Sequence, residues 1–432
     1  MAGASVVQSG NYELEIDTGF VQDAFTLDSA TMGVLNNTQF VLDGTTNFAS
    51  VMDGCNNVMI KRGRQDIGDQ FSAGTMSFTM LDTTGVFNPF NEESPYWDST
   101  TEQPGLAPMR QVRFARYDTN NVKEYLFKGF IVNFDYNFAL GGLDTVTVYC
   151  ADDFYLLSQT FMAEFNVSEQ LTSARVSAVL DLPEVAFPIG QRDISTGTQT
   201  LGGSAAFTVD NGTSVQAYLA AINQAEQGRL FISRDGDLTF QPRLGNTLSS
   251  SVADFHDDGT NVPYSGVGIS FQADAVCNRA SVTIRGSNSP QVADDAASQS
   301  LYFIQTQSIT DSLLHNDASA LTLAGYLLEP EPIARYTSVE TAFASLDNAQ
   351  RDQVAVIDIG QTITIEHTFT TGATTSELAQ ELAVEGIEHS ISVSEGHSIA
   401  LFTSPTVIVY EFILNDAIYG KLGIQDPQPV LG

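Results

Sequence analysis

Between Phe130 and Cys150 the chain alternates too regularly for a helix. Phe130, Val132, Phe134, Tyr136 and Phe138 occupy every second position, with Asn133, Asp135 and Asn137 between them. A strand sends successive side chains to opposite faces, so the spacing predicts one apolar and one polar face. Gly141-Gly142 turns the chain, and Val146, Val148 and Cys150 repeat the pattern on the return.

The same period recurs through residues 1–160. Tyr12, Leu14 and Ile16 alternate with Glu13 and Glu15, and 39–42 is a short strand closed by Asp43-Gly44. Met76, Phe78 and Met80 alternate with Ser77 and Thr79, after Gly74 and before an Asp82-Thr83-Thr84-Gly85 turn. Val112 and Phe114 share a face within 110–117. Short strands at this spacing predict an antiparallel barrel or sandwich. Residues 88–97 carry two prolines and the rings of Phe90, Tyr96 and Trp97. They predict an irregular arm whose rings need a surface, on their own domain or on a neighbour.

The character changes over 161–245. Val176, Val179 and Leu180 have helical spacing, and Pro183 stops that helix. Thr213 or Ser214 caps a second helix with Val215, Leu219 and Ile222 on its apolar face, ended by Gly228. Leu230, Phe231 and Ile232 run into Arg234-Asp235-Gly236-Asp237 and return through 238–240, a hairpin. Strands return at 264–271, 280–285, 339–343, 363–366, 387–393 and 399–402. Between them Asn316 caps a helix with Leu321, Ala324, Gly325 and Leu328 on one face. The expected architecture is mainly β with a smaller α/β part. It has a β-barrel domain at 1–160, an α/β module at 161–245, a second barrel with a helical insertion at 246–415, and a tail at 416–432.

Charge narrows function. Eighteen basic residues face 52 acidic ones, for a net charge of −34, and only Lys61, Lys123, Lys128 and Lys421 are lysines. Gripping phosphates needs a basic stripe, and docking on anionic membrane needs the same. Two readings of the acid remain: solubility in salt, or a passage through which DNA slides without sticking. Cys55, Cys150 and Cys277 are widely spaced and read as buried thiols. No secretion signal and no apolar run of membrane-spanning length is visible, so synthesis and folding in a cytoplasm are expected.

Chemistry is sparse. His256, His315, His367, His389 and His397 form no HExxH or HxH spacing. His389 shares a strand face with Ile387, Ile391 and Val393 and reads as a core histidine. His256 beside Asp257-Asp258 reads as a polar loop closed by Gly259 rather than a metal site. The pairs Glu92-Glu93, Asp152-Asp153, Asp257-Asp258 and Asp294-Asp295 are neighbours that point apart on a strand, poor geometry for shared acid/base work. Arg234 to Asp237 has a hairpin's spacing, not a calcium loop's. Arg110, Arg113 and Arg116 read as solvated side chains, or as a set that meets an acidic neighbour across an interface. No catalytic, cofactor-binding or metal residue is assigned, and a non-enzyme is expected.

Three long runs carry a resemblance. One joins Lys61-Arg62-Gly63-Arg64, Gln70 to Thr75, Thr84-Gly85-Val86-Phe87-Asn88-Pro89 and Ser94-Pro95-Tyr96. A second is the 192–203 segment with the 226–240 hairpin. The third joins 254–264, Asn278 to Val282, and 384–391 followed by 401–405. Together they resemble siphovirus minor tail proteins of the tail-tip, or baseplate, central hub, in the same order over most of the chain. The resemblance implies two tail-tube-like hub barrels carrying smaller modules, in a homotrimer whose ring continues the tail tube. It implies contacts to a distal tail protein, to the tape-measure protein C-terminus and to tail fibre or spike proteins. DNA would pass through the channel without specific binding, in the virion tail tip, with no membrane anchoring by this chain. The sequence departs from many such proteins in lacking a long C-terminal extension, so no peptidoglycan-cleaving or receptor-binding domain is visible and receptor recognition is not expected of this chain itself. Two alternatives are a hexameric distal tail ring protein, against which chain length and the α/β module argue, and a virion-associated cell-wall hydrolase, which no residue constellation supports.

Overall fold

The computed structural model describes residues 12–19, 48–65, 69–243, 250–371 and 374–405, without side-chain detail at 274 and 369–378. The strand expected at 39–42 and the tail at 416–432 lie outside the described residues.

The chain begins with β1 (Tyr12–Asp17), β2 (Phe48–Ser50), β3 (Cys55–Gly63), β4 (Thr75–Asp82), the small hairpin β5 (Trp97–Asp98) and β6 (Gln103–Pro104), β7 (Gln111–Tyr117), β8 (Lys123–Asn137) and β9 (Asp144–Ala151). A mixed segment follows: α1 (Asp153–Gln159), β10 (Phe161–Met162), β11 (Gln170–Leu171), α2 (Thr172–Leu180), β12 (Arg192–Ile194), β13 (Thr200–Leu201), β14 (Thr213–Ser214), α3 (Val215–Glu226), β15 (Arg229–Ile232) and β16 (Leu238–Gln241). Then come β17 (Asp254–His256), β18 (Val262–Pro263), β19 (Gly266–Ser270), β20 (Arg279–Ile284), β21 (Gln291–Asp294), α4 (Ala296–Tyr302), β22 (Thr306–Ser312) and α5 (Asp317–Tyr326). The last elements are β23 (Arg335–Ala342), α6 (Asn348–Ala355), β24 (Thr362–Thr371), β25 (Thr374–Ser392) and β26 (Gly396–Pro405).

The protein is mainly β with a smaller helical part. Among the described residues fourteen strands form one sheet, in the order β18-β17-β24-β25-β3-β4-β9-β8-β7-β1-β2, with β26, β23 and β19 branching from β25. Its strand ladder does not close into a barrel among the described residues, so the two separate barrels expected from the sequence are replaced by a shared sheet. The physical reason is β25, whose 19 residues serve both halves. Its first part pairs with β24 as far as Ala383, its second pairs with β3 from Gly386 to Ser392, and β26 runs along the other edge.

Three cores result. One lies under β1, β3, β4 and β7–β9, around Phe78, Phe114, Phe127 and Val148. A second lies under β17, β19 and β23–β26, around Phe255, Val339, Ile363 and Leu401. The third gathers residues within 154–240 together with residues within 277–327, so β20, β22 and α5 share one core with α2 and α3.

Local readings hold with particular exceptions. β1 buries Tyr12, Leu14 and Ile16, and β4 buries Met76, Phe78 and Met80. In β8 a bulge between Ile131 and Asn133 adds a residue and reverses which parity faces inward. Phe127 and Ile131 enter the core before it and Phe134 and Tyr136 pack on the core after it, whereas Phe130 and Val132 join neither set. Asn316 does cap α5, accepting from Ser319 N at 2.8 Å. Its buried face is Ala320, Leu323 and Ala324, however, and Leu321 is exposed. α3 ends on Gln227 in the left-handed conformation (φ 56°), not on Gly228. Gly228 is needed for a different reason: a Cβ there would meet Gln241 O at 2.3 Å. The arm after β4 folds back on its own chain through Tyr96, whereas its Phe90 ring is 84% exposed. Asp82 accepts from Val86 N and Phe87 N at 2.9 and 3.1 Å, and the Phe87 ring stacks on Tyr96 at 5.7 Å.

Candidate functional site: the junction of three cores

β3 and β25 cross where both carry a glycine. Gly63 has φ 83°, and a Cβ on it would stand 2.3 Å from Glu385 O; a Cβ on Gly386 would stand 2.3 Å from Arg64 O. Two backbones can therefore approach closely only because neither residue has a side chain. The register shifts between Val384 and Gly386, and this bulge turns the Glu385 side chain into the interior.

Glu385 collects partners from three directions. Arg64, at the end of β3, donates to its Oε2 at 3.0 Å from Nε and lies 2.9 Å away through Nη2. Arg229 of β15 donates to Oε1 at 2.7 and 3.2 Å. Ser404 of β26 donates to Oε1 at 2.7 Å. Burial pushes this carboxyl upward, but the Arg229 and Arg64 guanidiniums and the hydrogen bonds from Arg229 and Ser404 outweigh it. They hold the group below the ordinary glutamate range.

A second clasp lies alongside. Arg62 of β3, buried, donates to Asp358 Oδ1 at 2.6 Å, and the other Asp358 oxygen accepts from Arg234 N at 2.9 Å. The Arg234 guanidinium reaches on to Glu124 Oε2 at 2.9 Å and Tyr125 O at 3.1 Å, both in β8. Thus the β15–β16 hairpin is bonded to both halves of the large sheet. A cleft of about 530 Å³ opens beside the junction, lined by Lys61, Arg64, Ser72, Glu388 and Phe402 among others. Its lysine is committed to Glu388 at 3.0 Å.

A buried polar chain links the first core to β25 and β26. Tyr12 Oη lies 2.7 Å from His397 Nδ1, and His397 Nε2 lies 3.0 Å from His389 Nδ1. Burial lowers both imidazoles, His389 to about 3 with help from Arg62, and His397 with help from His389 and Arg116. The two rings are therefore held neutral.

Charge is distributed with a clear logic. Arg113 pairs with Glu15 at 3.1 Å, Lys123 with Glu13 and Glu15 at 2.9 and 2.8 Å, and Arg116 with Asp352 at 2.7 Å. Arg175, fully buried, donates to Tyr218 Oη, Ser168 O and Gly202 O. With cations taken up inside the fold, the net charge of −34 resides on carboxylates.

The residues singled out in the sequence fall into place individually. Arg113 and Arg116 meet acids of their own chain. Asp258 Oδ1 lies 2.9 Å from His256 Nδ1, and the Glu366 carboxylate contacts the opposite ring nitrogen. Asp257 turns instead to Thr368 N at 2.7 Å and His367 Nδ1 at 3.4 Å. Among the described residues no group of three or more His, Cys, Asp or Glu could hold a metal ion. Asp152 receives Gly74 N and Phe154 N at 2.7 and 3.0 Å, capping α1. Asp294 pairs with Arg279 at 2.6 Å, and Asp295 caps α4 through Ser298 N. The Asp235-Gly236 turn forms a hairpin, with Gly236 at φ 84°. His389 is buried as expected, but its neighbour in the chain of rings, His397, carried no sequence signal. Glu385 was missed as well. Its signal was a lone acid before a glycine inside an apolar strand, which marks a bulge.

No family model and no curated protein matches the sequence. Solved structures do. The tail protein from Neisseria meningitidis MC58 superposes with a TM-score of 0.55 at 11% identity, covering 92% of this chain and 98% of that one. The 43 kDa tail protein of prophage MuSo2 from Shewanella oneidensis superposes with a TM-score of 0.52 at 12% identity, covering 83% and 96%. The chain shares its fold with these two tail proteins. At such identity the likeness is one of fold. No described helix is long and apolar enough to cross a membrane.

Proposed function

We propose that this chain is a structural component of a phage tail, placed at the tail-tip hub, where it surrounds the path of the DNA. The observation that carries the reading is the fold shared with a tail protein over almost the full length of both chains. A second fact supports it. The tail-hub-like runs at 61–64, 226–240 and 384–391 are far apart in sequence, yet they supply Arg62, Arg64, Arg229, Arg234 and Glu385 to one junction. A building block that transmits load between rings needs its domains tied rigidly, and buried ion clasps between cores do that.

On this reading residues 1–160 and 246–415 supply the hub domains, 161–245 is the module carried by them, and 416–432 is a tail. Copies assemble as a homotrimer, with a distal tail protein on one side, fibre or spike proteins on the other and the tape-measure terminus within. The uncompensated carboxylates repel passing phosphates. Such repulsion is screened beyond about 8 Å at physiological salt, so it acts only in a narrow bore. The test is a symmetry-resolved image of the tail end of native particles. Density for this chain around the channel at the tip is expected; its absence from the tip, or a basic bore, would refute the reading.

A further inference from the structure

The seam between β3 and β25 joins the two halves of the large sheet, and it carries buried histidine. His389 of β25 lies opposite Ile60 of β3, and Ile387 lies opposite Arg62. His389 and Arg62 are therefore diagonal neighbours on the inner face of the seam. Tyr12 of β1 and His397 of β26 complete a chain of three buried side chains, with bonds of 2.7 and 3.0 Å. Phe343 covers His397, the ring centroids lying 3.7 Å apart.

This chain tolerates only neutral rings. A neutral imidazole has one N–H and one bare nitrogen, and the His397–His389 bond needs one of each at its two ends. If both rings carry two protons, N–H meets N–H and the bond is lost. His389 Nε2 is buried without a hydrogen-bond partner, so a proton added there is not satisfied either. The charges that act on the chain are cationic: Arg62 on His389, Arg116 on His397, and Arg116 and Arg351 on Tyr12. The acids alongside are committed elsewhere. Asp358 pairs with Arg62 and Asp352 with Arg116. Asp152, which also feels Arg62, accepts from Gly74 N and Phe154 N.

We propose that the Tyr12–His397–His389 chain is an acid-sensitive latch, which keeps the β3–β25 seam shut while both rings are neutral and opens it when they take up protons. A block that is rigid at neutral pH becomes two halves free to part in acid. Both rings are held below the ordinary imidazole value of 6.5, His389 at about 3. Their contribution is complete above 6.5 and is lost progressively as pH falls below it. The proposal rests on the geometry of the seam and not on the tail reading.

Hydrogen exchange of the whole chain, read by mass spectrometry between about pH 6.5 and about pH 5, tests it. That window lies above the ordinary value of 4.5 for Glu385, so the arginine clasp stays ionised. Peptides covering 57–63 and 386–392 report the seam. Helix α2 is the reference, since residues 153–240 hold no histidine. After correction for the intrinsic pH dependence of exchange, the seam's opening constant is expected to rise by up to about tenfold per pH unit for each ring. The pair together then give about a hundredfold per unit, and His389→Leu about tenfold at most. Opening that also exposes Asp152 should be shallower, because that carboxyl, pushed up to about 8, releases a proton as it opens. A seam no steeper than α2, or a slope in His389→Leu equal to wild type, overturns the proposal. Ring nitrogen chemical shifts of the wild-type chain give a reading that needs no variant. One protonated nitrogen on each ring is expected at about pH 5.5; two on either ring, with the seam still protected, overturns the latch.

Discussion

Replacing Glu385 by Gln keeps the shape of the junction and removes the carboxylate that Arg64 and Arg229 share. Glu385 is 2% exposed at the side chain, with Arg229 at 13% and Arg64 at 14%. Removing one partner of a buried ion pair costs about 3–5 kcal/mol, because the remaining charge is left uncompensated; the slight exposure of the arginines places this case at about 3 kcal/mol. The assay is urea unfolding at pH 7 followed by two probes. Trp97, the single tryptophan, reports the surroundings of β5, and far-ultraviolet circular dichroism reports the whole chain. In wild type the curves should coincide. In the variant they should separate, because the clasp ties β3, β15 and β26 to one bulge. Replacing Glu385, Arg64 and Arg229 together by methionine should recover most of the loss, since well-packed apolar residues can stand in for a buried ionic cluster. Acid should act with a definite sign. The carboxyl of Glu385 is held below its ordinary value of 4.5. Its contribution is complete above that value and disappears as pH falls through the lower folded value. The Gln variant should lack this part of the acid sensitivity. A Gln variant within about 1 kcal/mol of wild type, with coincident probes, would refute the argument that the junction holds the cores together.

Other expectations follow from the same geometry. The neutral His389–His397 pair should make stability fall as pH drops from about 6.5 toward about 3, because the unfolded chain takes up protons that the folded chain refuses, at up to about 1.4 kcal/mol per pH unit for each ring. Urea midpoints at pH 7.5 and 5.5 measure this, and His389→Leu should flatten the slope. Gly63→Ala should cost at least about 1–2 kcal/mol from the left-handed backbone alone, and more from the clash with Glu385 O; a midpoint unchanged from wild type would contradict the close crossing. Asp152→Ala strands the N–H groups of Gly74 and Phe154, at about 1–3 kcal/mol each, and a loss under 1 kcal/mol in a melting experiment would mean water replaces them.

Much of the fold was legible in the sequence because a half-buried strand writes its period on the chain. β1, β4, β7, β9 and the β15–β16 hairpin could be read from alternation and from Asp-Gly or Gly-Gly turns. β8 was legible as a strand but not in its facing, since one extra residue at the bulge moves Ile131 inward and Phe130 away. α5 was legible through its Asn316 cap and misread in its face, because Leu321 and Leu323 are equally apolar and only the neighbouring strands choose between them. The candidate site was barely legible. Arg64, Arg229 and Glu385 lie 165 and 156 residues apart in turn, and no local pattern predicts that three such residues meet.

Composition and periodicity by themselves determined that this chain is acidic and mainly β. Those properties are local or additive, so each residue declares its share. Whether β25 serves one sheet or two, which acids are buried, and which side of β8 faces the core were decided only by tertiary structure. Each depends on backbones from distant segments meeting at a few ångströms, where a missing Cβ or a single hydrogen bond selects the arrangement.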